Sequence, residues 1–320
     1  MRLLFELSGE HPTFPQAEVL ACLGTEEIVE KGDRVLVVDT EARPRTLASR
    51  LALTHCIDRV LWAGDDPSNI PPLEIGAGTF AIRVKTIGTR YRLDTTGLVK
   101  DVGAMIDNPV DLTNPDIELR IILSNRCWVG IKTVTIDRGS FEKRRAQFRP
   151  FFSPISLHPR IARALVNLSR VKKGDLLLDP FCGTGGILIE AGLMGVGVMG
   201  SDSDQRMVEG CKRNLEHFDI FGEVLRSDVG DVTVRADVVV TDLPYGRAAT
   251  TRREPTQKLY GRALSAIGKA IKPGGYAVVG SPFPLQASGH LELMETHRVR
   301  VHKGLSRYFH VYRSSSRASG

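Results

Sequence analysis

Four carboxylates in the second half of the chain each stand where a short apolar run ends. They are Asp179, Asp202, Asp228 and Asp242. Short apolar runs bounded by glycines and polar residues are typical of buried parallel strands, and the carboxyl ends of such strands meet at one edge of a sheet. The sequence therefore predicts that these carboxylates outline one pocket at that edge.

The first carboxylate opens a glycine loop, Asp179–Gly186, between an apolar strand and a predicted helix. Glycines let the backbone approach a ligand closely, and N–H groups at the start of the helix can face it. A tight structural turn is the alternative. Asp202 and Asp228 favour a nucleoside site, because the first can bind a ribose diol and the second an adenine amino group. The predicted cofactor-binding residues are Asp179, Phe181, Cys182, Gly183, Thr184, Gly185, Asp202, Asp228 and Asp242.

The fourth carboxylate belongs to Asp242-Leu243-Pro244-Tyr245, which combines an acceptor, a proline-stiffened backbone and an aromatic ring. An amine conjugated to an aromatic ring is a poor nucleophile because its lone pair is delocalised. Asp242 and the carbonyl of Leu243 could accept both amine hydrogens and turn the lone pair towards an electrophile, while Tyr245 stacks on the base. Taken alone, the tetrapeptide also fits a β-turn with a buried tyrosine. We predict these four residues as catalytic.

The elements that must position these residues follow from periodicity. From residue 154 onward strands and helices alternate, with helices predicted at Pro159–Leu168 and Gln205–His217, which indicates a doubly wound α/β sheet. Arg298–Val301 and Tyr308–Tyr312 predict a final antiparallel pair. Residues 3–62 read β-α-β-α-β, with the second helix at Arg45–Thr54, which suggests a ferredoxin-like unit. We divide the chain into that unit (1–55), a second α+β unit (56–137), a linker (138–153) and a catalytic domain (154–320).

The ordered motifs resemble those of class I S-adenosylmethionine-dependent amino-methyltransferases. The resemblance implies a Rossmann-like, seven-stranded sheet with an antiparallel C-terminal strand, S-adenosylmethionine as the cofactor and methyl transfer to an amine. The usual motif has a second proline where this chain has Leu243, and a backbone carbonyl survives that change. The Gly-x-Gly-x-x-Gly pattern of NAD enzymes is absent from the loop.

The two N-terminal units and the segment Arg149–Arg160 make the chain similar to the THUMP-domain tRNA methyltransferases. With the late segment Val301–Arg307, it looks most like the tRNA guanosine-N2 methyltransferases of archaea and eukaryotes, which act on the guanosine at position ten. This resemblance implies that residues 56–137 are a THUMP RNA-binding domain that helps to hold the tRNA acceptor end. It also implies that a small zinc-containing activator subunit can be required. Mono- and dimethylation both stay open.

Composition allows a nucleic-acid partner without requiring one. The 320 residues carry 43 Lys and Arg against 37 Asp and Glu, a net charge of +6, and the excess lies after residue 66. For the strand end of the second unit and for the linker, a solvated charged surface is the alternative. The predicted RNA-binding residues are Arg83, Lys85, Lys143, Arg144, Arg145, Arg149, Arg247, Arg252 and Arg253.

Other features narrow the class of protein. No apolar run has the length of a membrane span, and the early carboxylate Glu6 argues against a signal peptide, so we expect a cytoplasmic protein. The 5 cysteines stand far apart without a Cys-x-x-Cys pair, which argues against disulfides and an intrinsic metal site. RNA cytosine methyltransferases carry their cysteine near the fourth strand, where this chain has Asp242, so we interpret Cys182 as a small loop residue.

Together these observations predict methyl transfer from S-adenosylmethionine to the exocyclic amine of a flipped tRNA guanosine. The same four-residue motif serves other amino-methyltransferases, so another RNA guanosine or adenosine, DNA and a protein glutamine amide stay open as substrates. A non-catalytic RNA-binding module with a degenerate methyltransferase fold is the alternative from another class. The intact Asp202, Asp228 and Asp242 argue against it.

Overall fold

The computed structural model describes residues 1–25, 27–153, 156–245, 254–302 and 305–315. Contacts within the chain divide it into two compact units, Met1–Asp137 and Arg138–Gly320. In each unit the described residues form a seven-stranded sheet. The predicted linker, residues 138–153, is grouped with the second unit, and the assignment of segments to domains stays a prediction.

The first unit contains, in chain order, β1 (Arg2–Leu7), α1 (Phe14–Leu23), β2 (Glu30–Gly32), β3 (Val35–Asp39), α2 (Pro44–Ala48), β4 (Thr54–Gly64), β5 (Phe80–Thr86), α3 (Thr95–Gly103), β6 (Ile117–Leu123) and β7 (Cys127–Thr135). The strand order is β2-β3-β1-β4-β7-β6-β5. Strands β5 and β6 pair in parallel, whereas the other neighbours pair antiparallel. Strand β4 connects the two segments that the sequence predicts as separate units, and the predicted boundary at residue 55 falls inside it.

The predicted helix over Arg45–Thr54 is wrong in its second half, because only Pro44–Ala48 is helical. A buried carboxylate explains the difference. Glu18 of α1 accepts hydrogen bonds from the backbone N–H groups of Ala52 (2.9 Å) and Leu53 (2.8 Å). This contact between distant parts of the chain overrides the local helix propensity, which is a weak preference.

The second unit contains, in chain order, α4 (Gly139–Lys143), α5 (Pro159–Leu168), β8 (Leu176–Asp179), α6 (Gly186–Gly192), β9 (Gly197–Asp202), α7 (Gln205–His217), β10 (Gly222–Arg226), β11 (Val238–Asp242), α8 (Thr256–Ala270), β12 (Tyr276–Ser281), β13 (Leu291–His302) and β14 (Leu305–Ser314). The strand order is β10-β9-β8-β11-β12-β14-β13. The first five strands are parallel, and β14 runs antiparallel to β12 and β13. The predicted doubly wound sheet with a final antiparallel pair is confirmed.

Two helices of the second unit begin and end where the sequence predicts, α5 and α7. The backbone N–H of Arg160 donates to the ring of His158 just before α5, and Pro159 occupies the first turn, where its missing N–H costs nothing. Asp204 caps α7 by accepting from the N–H of Arg206 at 2.9 Å. Strand order reverses between β8 and β11, which creates a crevice at their carboxyl ends.

We expect the substitution Glu18→Ala to lower the free energy of unfolding by about 2–4 kcal/mol, because two buried N–H groups lose their acceptor. Glu18→Gln, which keeps one acceptor oxygen, should cost less. Chemical denaturation of the full chain measures both, and the exposed Glu27→Ala serves as the control. Equal stability of all three variants would contradict this account of the chain after α2.

Candidate active site

Asp202 fixes the glycine loop to the end of β9. Its carboxylate accepts from the N–H groups of Gly183 (3.0 Å) and Asp204 (2.9 Å), and burial raises its pKa. Gly183 has a φ of 50°, and a Cβ placed there would meet nothing within 4 Å. The loop therefore leaves open space beside an acceptor, which suits the ribose diol of a nucleoside.

The other residues of the glycine loop pack against α7. Gly185 has a φ of 81°, and a Cβ there would come 2.7 Å from the sulfur of Cys211 on α7. Cys182 and Thr184 are buried, and the carbonyl of Thr184 accepts from Asn214 at 2.9 Å. A side chain at position 185 would push the loop away from α7, so glycine is required there.

Asp179 joins the first and fourth strands of the site. Its Oδ1 accepts from the hydroxyl of Thr241 at 2.6 Å and from the N–H of Phe181 at 3.2 Å. Burial raises the pKa of Asp179 to about 7, against the effect of the Thr241 hydrogen bond, and Asp202 and Asp242 raise it further. Because it is 1% exposed, Asp179 acts through the loop and strand that it connects.

Asp228 pairs with an arginine side chain, a contact that the sequence analysis did not predict. Its carboxylate accepts from Arg262 of α8 through both oxygens and from the N–H of Gly230 at 2.9 Å. The same guanidinium donates to Glu254 at 2.8 Å. The predicted adenine acceptor therefore has a fixed position and shares its oxygens with an arginine.

The motif that begins at Asp242 is fixed on both sides of its backbone. The N–H of Leu243 donates to the carbonyl of Gly280 at 2.9 Å, and the carbonyl of Pro244 accepts from the hydroxyl of Tyr260 at 2.7 Å. The Leu243 side chain is fully buried in the core beneath. A proline at position 243 would lose the first of these bonds, since it has no N–H.

The side chains of the motif form a compact polar group. The hydroxyl of Tyr245 donates to Asp242 Oδ1 at 2.7 Å, and Arg307 Nη1 lies 3.6 Å from Asp242 Oδ2. The guanidinium of Arg307 also lies over the Tyr245 ring, 4.8 Å from its centroid. Burial raises the pKa of Asp242, while Arg307 and the Tyr245 hydrogen bond lower it.

The predicted RNA-binding residues differ in how exposed they are and in the partners they contact. Arg83, Lys143 and Arg145 are exposed. Lys85 pairs with the buried Glu6. Two arginines of the linker turn inward, as the next paragraph describes, and Arg247, Arg252 and Arg253 lie outside the described residues.

The inward arginines surround one buried carboxylate. Arg144 donates to both oxygens of Glu190 on α6, at 2.8 and 3.1 Å, and Arg163 of α5 lies 2.9 Å from the same carboxylate. Arg149 is buried and donates to the carbonyl of Arg144 at 3.0 Å, and burial lowers the pKa of Arg149. Arg144 and Arg149 of the linker therefore pack against other residues of the unit, so only part of the positive charge of this segment faces solvent.

Sequence reasoning missed Tyr260, Arg262 and Arg307, which contact the predicted site from α8 and β14. α8 and β14 each carry several other polar residues, so neither spacing nor residue type distinguished these three. Among the described residues no cluster of His, Cys, Asp and Glu could hold a metal ion, and no helix there is long and apolar enough to cross a membrane.

The strand order, the glycine loop and the carboxylates at the strand ends define a class I methyltransferase domain. A family model described as "RMKL-like, methyltransferase domain" matches residues 146–308. The tRNA (guanine(10)-N2)-dimethyltransferase of Methanothermobacter thermautotrophicus is 36% identical, over 97% of this chain and 99% of that protein. The protein of the same name from Pyrococcus abyssi is 36% identical, over 96% and 98%. The chain belongs to the methyltransferase family of these archaeal proteins.

Solved structures agree on the fold. The structure of TrmN from Thermus thermophilus has a TM-score of 0.54 and 18% identity, covering 98% of this chain and 100% of that one. SMU.472, a putative methyltransferase solved with SAH, has a TM-score of 0.51 and 14% identity, covering 99% and 98%. At these identities the likeness extends to the architecture of the chain alone.

We expect Tyr260→Phe to lower the kcat of methyl transfer by about tenfold, because the Pro244 carbonyl loses the donor that fixes it. Tyr312→Phe is a matched control, since Tyr312 also donates to a backbone carbonyl, that of Gln286 at 3.2 Å. Steady-state rates with saturating substrates measure the effect. Equal losses in both variants would indicate a general cost of removing a buried hydroxyl.

Proposed function

We propose that this protein is a tRNA guanine-N2 methyltransferase that methylates the guanosine at position ten with S-adenosylmethionine. The near full-length similarity to two archaeal proteins of that activity carries the proposal. The Asp242–Tyr245 motif at the carboxyl end of β11 supplies the groups that such a reaction requires. A cytoplasmic location is part of the proposal.

The residues of the pocket fit S-adenosylmethionine. Asp202 would accept from the ribose diol, Asp228 from the adenine amine, and the loop around Gly183 leaves open space between strand and helix. When bound, this cofactor supplies a methyl group already activated as a sulfonium electrophile. The protein therefore contributes mainly positioning, which can supply a large part of a rate enhancement.

Asp242 and Leu243 would orient the target amine. The exocyclic amine of guanine is conjugated to the ring, and two acceptors at its hydrogens turn its lone pair out of conjugation. Asp242 supplies one acceptor and the Leu243 carbonyl the other. In the structure the Tyr245 hydroxyl donates to Asp242 Oδ1, so the incoming amine would replace this hydrogen bond while the ring stays close enough to stack on the base. The proton that the amine releases on methylation passes to Asp242 or to solvent.

We further propose where the tRNA and a further subunit contact the protein. We assign phosphate contacts to the exposed Arg83, Lys143 and Arg145, and THUMP-type RNA binding to residues 56–137. A small zinc-containing activator would suit the edge of β10 that pairs with no other strand among the described residues, where Phe221 is 95% and Leu225 45% exposed. Unpaired strand edges with exposed apolar side chains are common sites of protein association.

Replacement of the acceptor tests the mechanism. We expect Asp242→Ala to lower kcat by on the order of 10²–10³-fold, because one of the two amine acceptors is lost. Titration calorimetry with S-adenosylhomocysteine should give a near-normal affinity. The exposed Glu292→Ala serves as a control for charge removal. A turnover close to that of the unchanged enzyme in Asp242→Ala would refute the assigned role.

The substrate assignment is tested with labelled S-adenosylmethionine and unmodified tRNA transcripts, followed by mapping of the methylated nucleoside. We expect methylation of guanosine at position ten and none of a transcript carrying adenosine there. The assay is repeated with a small zinc-containing activator protein, using Phe221→Ala to disturb the edge of β10. Methylation elsewhere in the tRNA, of DNA or of a protein amide would replace the proposed substrate.

A further inference from the structure

We propose that Arg307 is a positioning residue of this reaction: its guanidinium holds the Asp242 carboxylate and the Tyr245 ring together in the form that receives the target amine. This inference rests on the proposed function for its chemistry. Its geometry involves only residues of the second unit that the structure describes.

The antiparallel strand explains how Arg307 reaches the site. Because β14 runs opposite to β12, its first residues lie at the carboxyl edge of the parallel strands. Ser281, the last residue of β12, pairs with Tyr308, and Gly280 pairs with Phe309. Arg307 therefore lies beside the end of β12, next to the strand that carries Asp242. A parallel strand at this position would place its first residues at the opposite edge.

Arg307 makes two contacts with the motif and is 12% exposed at its side chain. One contact is the 3.6 Å approach of Nη1 to Asp242 Oδ2, and the other is the 4.8 Å stacking distance from the guanidinium to the Tyr245 ring. The Tyr245 hydroxyl holds the second carboxylate oxygen at 2.7 Å. One cation thus fixes both the acceptor and the ring, and each of those groups is also tied to the other.

Space for this arrangement comes from Gly280. A Cβ at that position would collide with Asp242 Oδ1 and would lie 3.2 Å from the ring of Phe309. The absence of a side chain on β12 lets the carboxylate turn towards Tyr245 and Arg307. The carboxylate therefore packs against Gly280 on one side and contacts Tyr245 and Arg307 on the other, and these partners keep it in one orientation.

The charge of Arg307 offsets the surroundings of Asp242. Burial raises the pKa of Asp242, and Arg307 is the nearest charge that lowers it. From β8, the buried Asp179 faces the same edge with a like charge. From α8, Tyr260 contributes a hydroxyl, and from β12 Gly280 contributes no titratable group. A protonated Asp242 would carry an O–H donor on one oxygen and would accept more weakly through the other, so it would orient the amine less well.

The direction in which removal of Arg307 changes the pH dependence follows from these opposing effects on the pKa of Asp242. Removal of Arg307 takes away a charge that favours the carboxylate, so the pKa of Asp242 rises further above its ordinary value. As the pH is lowered, the Asp242 carboxylate is then protonated at a higher pH than in the unchanged enzyme. Activity should fall on the acidic side and return as the pH rises through the new pKa. A residue with a merely structural role would change the rate by the same factor at every pH.

The kinetic experiment compares kcat from pH 5.5 to pH 9 for the unchanged enzyme, Arg307→Met and Arg307→Lys. We expect the acidic limb of Arg307→Met to move up by about one pH unit, with a kcat about tenfold lower at its acidic end and nearly restored at pH 9. Arg307→Lys, which keeps the charge, should lie between. S-adenosylhomocysteine affinity and the KM for tRNA should stay within about twofold.

Arg298→Met is a matched control, because Arg298 of β13 also lies over a tyrosine, Tyr308, at 5.8 Å. It removes the same type of contact from the same hairpin, away from Asp242, and should leave the pH profile unchanged. A uniform loss of rate in Arg307→Met at all pH values, or an equal shift in Arg298→Met, would overturn the proposal.

A second measurement needs neither substrate nor cofactor. The chain has 6 tyrosines, so ring-carbon NMR signals can be assigned with a Tyr245→Phe variant. We expect the Tyr245 signal to follow the titration of Asp242 and its midpoint to rise in Arg307→Met and less in Arg307→Lys. An unmoved midpoint contradicts the role of Arg307. A moved midpoint in an enzyme that methylates no tRNA guanosine keeps that role and refutes the proposed function.

Discussion

Four carboxylates stand at one edge of a parallel sheet, where Asp202 and Asp242 raise the pKa of the buried Asp179, and the second unit depends on the partners that hold these charged groups in place. Asp179 is buried with a pKa near 7 and a hydroxyl partner. Asp202 accepts from two backbone N–H groups, Asp228 from Arg262, and Asp242 from Tyr245 with Arg307 nearby. Each carboxylate therefore has its own kind of partner, and each partner comes from a different part of the fold.

These partners also separate the tasks of the carboxylates. A buried acid bound to a hydroxyl connects two strands, whereas an acid on backbone N–H groups keeps lone pairs for further donors. Asp242 packs against Gly280, whose missing side chain makes space for the carboxylate. We propose that catalytic work falls to this group because its partners can be exchanged: the Tyr245 hydroxyl can leave and an amine can take its place.

Much of this arrangement could be predicted from the sequence, because it rests on local patterns. Apolar runs ending in a carboxylate predicted the strands of the site, and the helices α5 and α7 were predicted to the residue. Contacts made over long distances in sequence could not be predicted. Glu18 accepts hydrogen bonds from the chain just after α2, a helix that ends 30 residues further along the sequence. Arg262 of α8 and Arg307 of β14 approach the carboxylates of the site. Nor does a basic run reveal which arginines turn inward: Arg144 and Arg149 do so because Glu190 lies buried beneath them.

The leucine in the catalytic motif shows how the fold itself can maintain a catalytic geometry. A second proline would stiffen the backbone by restricting φ, but it would also remove an N–H. In this chain the N–H of Leu243 bonds to Gly280, the Pro244 carbonyl bonds to Tyr260, and the leucine side chain fills the core. Neighbouring elements thus supply the stiffness that the second proline would provide. It follows that the carbonyl at position 243, which we propose as an acceptor, depends on β12 and α8 as much as on the motif, so a sequence pattern alone underestimates how many residues define this site.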